Sequence, residues 1–132
     1  MTQLQYYLAL SCIWVAIAWL PYILDRIMVR GLLGGMANPS ADDAPQSPWA
    51  QRAHRAHIVA VELLVAFAPL AGLAMMLRPE DPLPGTLAML FFLGMIAHYI
   101  IYTLGIPVVR TLAFAVASLS SLALGLRIID IL

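Results

Sequence analysis

Glu62 stands within an otherwise apolar run, Ile58 to Leu77, and so presents a carboxylate where a membrane-spanning helix would be dry. An ionisable group at such a depth is costly unless it faces the interior of a helix bundle and finds a partner, so it marks a site by default. Arg55, Val59, Glu62 and Ala66 follow a 3.6-residue period and share one helical face, which projects Arg55 and Glu62 the same way about two turns apart. The pair fits either a structural ion pair inside a bundle or two contacts to a charged ligand.

A second group lies in His98-Tyr99-Ile100-Ile101-Tyr102, where His98 and Tyr102 are spaced i, i+4 and Tyr99 adjoins Tyr102 at i, i+3. Tyrosines at a membrane boundary also serve as an aromatic belt, and that reading competes here. Arg110 follows Pro107 by three residues, in the first turn of the next apolar segment. Unpaired backbone amides and the helix dipole already favour an anion there, and a guanidinium strengthens the site. A bound thiol would have its pKa lowered from about 8.5 toward neutrality in such a place. The bland alternative is an arginine that snorkels to water and fixes topology. Arg52 lies one turn before Arg55, and His54 and His57 form an i, i+3 pair. No cysteine or further acid joins the histidines at ligand spacing, so no metal site is expected.

The elements that must position these residues follow from composition. The chain has 132 residues, 63% of them hydrophobic and 11% charged, with seven arginines, no lysine and seven acids. Its mean hydropathy is +0.91. This excludes a water-soluble enzyme and a disordered chain, and a net charge of zero offers no footprint for nucleic acid. The lone Cys12 lies within an apolar run and reads as a buried packing residue.

A bilayer span needs about 20 predominantly apolar residues. Four segments reach that length: residues 4–24, 58–77, 83–104 and 108–129. The expectation is one all-α membrane domain over residues 1–132, an up-down bundle of four transmembrane helices. Residues 31–50 carry three glycines and three prolines and read as a long polar loop. Ser47-Pro48 reads as an N-cap followed by proline at the first helical position, which extends the second helix back to about residue 48. Pro21 is expected to kink the first helix and Pro69 the second. Arg26, Arg30, Arg52, Arg55 and Arg110 gather around the first and third connections, against Arg78 and Arg127 at the other end, so those two connections are expected in the cytoplasm. Ala113, Ala117, Ser121 and Gly125 form a stripe of small residues along the fourth helix, suited to close approach of another helix.

Arg52-Ala53-His54-Arg55-Ala56-His57, followed by Glu62 and Phe67, resembles the R-A-x-R-A-x-x-N-x-x-E-x-x-P-x-F signature of the MAPEG superfamily, the membrane-associated proteins in eicosanoid and glutathione metabolism. The segment from Tyr102 to Arg110 resembles the family's second signature, a tyrosine and an arginine bracketing the turn between helices three and four, and the whole looks like a bacterial member, placed in the inner membrane. The resemblance implies a homotrimer binding glutathione at each subunit interface. In it Arg55 and Glu62 match the residues that hold the tripeptide, Tyr102 matches the helix-three tyrosine, and Arg110 matches the arginine that stabilises the thiolate. Arg52, His98 and Tyr99 are further candidate glutathione contacts. The implied activity is a glutathione transferase or peroxidase that takes lipophilic electrophiles from the surrounding lipid. Two positions depart from the signature: Val59 replaces its asparagine and Val65 its proline, with Pro69 one turn later. Valine cannot hydrogen-bond a peptide, which brings in a second reading, a noncatalytic lipid-binding or scaffold protein. A small transporter is a third, weakened by the absence of an inverted repeat.

Overall fold

The computed structural model describes all 132 residues and is all-helical. Its elements are α1 (Gln3–Ile17), α2 (Leu20–Met36), α3 (Pro48–Leu77), α4 (Leu83–Leu104) and α5 (Pro107–Ile128). α1 and α2 together make one rod, Gln3–Met36, so four helical units are long and apolar enough to cross a membrane. The break between them follows from Pro21, which has no N–H to give to the preceding turn. α3 runs without interruption through Pro69.

The first span is longer than the sequence pattern indicates. Helix continues past residue 24 to Met36, so residues 31–36 belong to α2 and the connecting loop begins only at Ala37. Gly31 permits this: with φ of +72° it bends the rod in a conformation that side chains other than glycine rarely adopt, and the helix resumes beyond it. Arg26 then donates to the Ala37 carbonyl and Arg30 to the Ala44 carbonyl and the Asp43 carboxylate, which ties the loop against the rod.

Asp25 is the buried acid of this region. It accepts from the Ser47 backbone N–H at 3.0 Å, while the Gln46 amide donates to the Tyr22 carbonyl. α3 therefore starts where the sequence places it, at Ser47-Pro48, but the Ser47 side chain makes no cap bond. Its backbone is anchored to α2 instead.

α3 turns a stripe of small residues inward: Ala50, Ala53, Ala56, Ala60, Ala71 and Ala74 are fully buried. Phe67 on the same face stacks on Phe91 of α4, with centroids 4.0 Å apart and planes within 8°. α4 meets α5 still more closely. A Cβ on Gly94 would lie 2.9 Å from the Ala117 amide nitrogen and 3.0 Å from the Ala113 carbonyl oxygen, so the small stripe of α5 serves this contact within one chain. Cys12 departs from expectation, being exposed on the outer side of α1, where lipid rather than protein would cover it.

At the end holding both termini, Arg127 bonds Asp81 at 2.6 Å and Arg78 pairs with Asp130. The Arg127 hydrogen bond, helped by the Leu83 backbone N–H, holds the Asp81 carboxyl below the usual carboxylate range. A depressed carboxylate contributes stability above its unfolded pKa, about 3.9, and loses it as pH falls through the folded value. Asp81→Asn is thus expected to melt below wild type at pH 7, with the gap shrinking as the pH falls below the unfolded value and closing once it has passed through the lower folded one. A melting difference that does not shrink in acid would contradict this clamp.

Candidate functional site

The face of α3 that carries Arg55 and Glu62 is not its inward one. The buried stripe Ala53, Ala56, Ala60, Leu63 and Phe67 is out of phase with Glu62 by about one residue, or roughly 100°. Glu62 is accordingly exposed on the side of α3, as is Arg55, and the two form no ion pair. The expectation that Glu62 faces the bundle interior is therefore corrected. Alanines and aromatics fill that interior, and the carboxylate borders a furrow between α3 and α5.

The furrow has a volume of about 230 Å³ and is lined by Glu62, Leu63, Ala66, Phe114, Ser118 and Ser121. On α5 its wall is the continuation of the face that begins at Arg110, since Arg110, Phe114, Ser118 and Ser121 recur at helical spacing. Two chain reversals separate α3 from α5, so they run the same way. The seven residues from Arg55 to Glu62 and the eight from Arg110 to Ser118 then descend together, cations toward one end and Glu62 with Ser118 near the middle of their helices.

Aromatic contacts link the furrow to the α4–α5 turn. Phe114 meets His98 edge to face at 6.0 Å, His98 meets Tyr102 at 5.5 Å, and the Arg110 guanidinium lies over the Tyr102 ring at 4.5 Å from its centroid. That cation–π contact, of about 0.5–1 kcal/mol where exposed, orients Arg110 without using its hydrogen-bond donors. His98 is buried, and its Nδ1 has no partner.

The turn itself is built by Gly105, whose φ of +81° caps α4, and by Pro107 opening α5. Arg52 reaches across from α3 and donates from Nε to the Thr103 carbonyl at 3.0 Å. A Cβ on Gly105 would approach the Arg52 guanidinium to 3.3 Å. Arg52 thus neutralises the carbonyl end of α4 beside Tyr102.

Of the residues singled out from sequence, the structure joins His98, Tyr102 and Arg110 in one cluster and sets Arg55 and Glu62 on one face beside it. Tyr99 points elsewhere. Its hydroxyl donates to the Ala18 carbonyl at 2.8 Å and its ring meets Trp14 edge to face, so it fastens α4 to the α1–α2 junction. His57 also bonds within the fold: one ring nitrogen lies 2.9 Å from the Tyr22 hydroxyl and the other 2.9 Å from the Val15 carbonyl oxygen, while His54 packs on the Tyr22 ring. Val59 is half-buried against the core. Phe114 and Ser118 were not singled out from sequence, although their spacing from Arg110 carried the signal.

The sequence model of the MAPEG family aligns with residues 4–129, nearly the whole chain. No curated protein and no solved structure matches.

Proposed function

Because the chain belongs to the MAPEG family, we propose that it is a membrane-bound, glutathione-dependent transferase, with peroxidase activity as a variant of the same chemistry, acting on lipophilic electrophiles. The observation that carries this reading is Arg110 held over Tyr102 on the helical face that continues into a furrow lined by Glu62, while neither Glu62 nor Arg55 on its own face of α3 has a salt-bridge partner within the chain. Free cations near one end and a free carboxylate deeper in complement a peptide that carries carboxylates and an ammonium.

A guanidinium keeps its proton at neutral pH, so Arg110 cannot act as a base there. Its role is electrostatic: with the α5 amide dipoles it stabilises the glutathione thiolate, and the thiol proton passes to water. The sulfur then attacks the electrophilic carbon, a C–S bond forms, and the leaving group departs with its electron pair. With a hydroperoxide the sulfur attacks oxygen, the O–O bond breaks to release an alcohol, and a second glutathione takes the first into a disulfide with loss of water. Tyr102 orients Arg110, Arg55 and Glu62 hold the tripeptide, and His98 lends its unpartnered nitrogen to the same pocket.

Arg55 and Glu62 are open to the outside of a single chain, a costly arrangement within a bilayer. A homotrimer in which a neighbouring copy covers the furrow removes that cost and brings lipid to the mouth of the site. The excess of arginine around loop 37–47 and the α4–α5 turn supports a reading in which that end faces the cytoplasm of a bacterial inner-membrane protein.

Val59 favours a second reading. At the signature's asparagine position it offers no hydrogen bond, which weakens peptide recognition by about 1–3 kcal/mol if a polar group is left unpaired. A noncatalytic, lipid-binding protein on the same scaffold would tolerate it. Purified trimer given glutathione and a lipophilic aryl halide separates the two. The transferase reading expects conjugate and halide released in equal amounts; lipid copurifying with the protein and no conjugate would support the scaffold.

A further inference from the structure

Ser118 is the one polar residue of the furrow left without a role. α5 carries three serines in its central turns. Ser120 donates to the Val116 carbonyl at 2.7 Å and Ser121 to the Ala117 carbonyl at 3.2 Å, the usual way a helix absorbs hydroxyls in apolar surroundings. Ser118 makes no such bond, is half-buried, and lines the furrow together with Glu62. Among the six lining residues it holds the single uncommitted hydrogen-bond donor.

Glu62 constrains what the furrow takes. A carboxylate at mid-membrane depth requires a cation, and no arginine or histidine of the same chain pairs with it, which suits a ligand that brings an ammonium. If the carbon bearing that ammonium also bears a carboxylate, the second charge is desolvated too and needs a donor of its own. Ser118 is placed to be that donor. Arg110 lies eight residues away along the same face, about 12 Å of rise, a span that glutathione covers from its γ-glutamyl head to its thiol together with the reach of an arginine side chain.

We infer that the Ser118 hydroxyl donates to the α-carboxylate of the ligand's γ-glutamyl head, so that Glu62 and Ser118 together recognise an α-amino acid group in the furrow between α3 and α5. This rests on the glutathione reading above and extends it to the part of the peptide farthest from the chemistry. The chain thereby selects γ-glutamyl thiols over thiols that lack an amino acid head.

Calorimetric binding to the detergent-purified protein tests it with three peptides: glutathione, 4-aminobutyryl-Cys-Gly, which keeps the amine but lacks the α-carboxylate, and glutaryl-Cys-Gly, which lacks the amine. Ser118→Ala is expected to weaken glutathione about tenfold or more and to leave the 4-aminobutyryl peptide unchanged, since one hydrogen bond to a charged group is lost. Ser118→Thr, which keeps the hydroxyl, is expected to retain glutathione binding. Glu62→Gln should weaken glutathione and the 4-aminobutyryl peptide but not the glutaryl one. Equal weakening of glutathione and the 4-aminobutyryl peptide by Ser118→Ala, or no weakening of either, overturns the inference while leaving the transferase reading standing. Failure of the wild type to bind glutathione at all removes both.

Discussion

Arg110→Ala is expected to lower the rate of glutathione conjugation about 100- to 1,000-fold at neutral pH while leaving the protein folded and assembled. The magnitude is that of removing one donor aimed at developing or resident negative charge in a site that excludes water. The fold should survive because the Arg110 head group stacks on Tyr102 and makes no ion pair within the chain. No ion pair or buried hydrogen bond is broken, so the loss falls on the chemistry. Raising the pH should recover part of the variant's rate, because free glutathione ionises with a thiol pKa near 8.5 whether or not the arginine is present. Rate against pH for both proteins, with thermal melting as the control, checks it. A variant that keeps wild-type turnover at neutral pH contradicts the role given to Arg110.

Gly94→Leu is expected to have the largest effect on stability. A Cβ at this position already meets backbone atoms of Ala113 and Ala117, which cannot rotate aside as a side chain would. The larger group must push α5 away from α4, and overpacking of this kind costs about 1–3 kcal/mol or more. Tyr102 and Arg110 sit on these two helices, so activity and melting temperature should fall together, unlike the Arg110 variant. Gly72→Ala is the matched control: its added Cβ meets nothing within 4 Å, and alanine is the better helix former, so no loss is expected. If Gly94→Leu melts like wild type, α4 and α5 do not meet as described.

The spans were legible because a bilayer imposes a length and an apolar composition that few other constraints imitate. α3, α4 and α5 begin at prolines or one residue before one, and α4 ends at Gly105, so those boundaries could be placed from residue type alone. The end of the first span could not. Gly31 and the glycines after it read as loop, yet one glycine at positive φ lets the helix bend and continue to Met36. The face of Glu62 was hidden for a related reason. Periodicity shows which residues share a side of α3 but not which side turns inward, and the alanine stripe that settles it packs against α4, a tertiary fact. Asp25 and Tyr99 show the same limit, since their partners, Ser47 and Ala18, lie 22 and 81 residues away. His98, Tyr102 and Arg110 were readable as a group because a tight Gly-Pro turn brings them together.

The most direct test follows glutathione binding to the detergent-purified protein by the ultraviolet absorbance of the thiolate, across pH, for wild type and Arg110→Ala. A thiolate that appears below pH 8 (about half a unit under the free thiol) in the wild type alone is the predicted result. Glutathione that binds both proteins and ionises in both at the pKa of the free thiol would contradict the account.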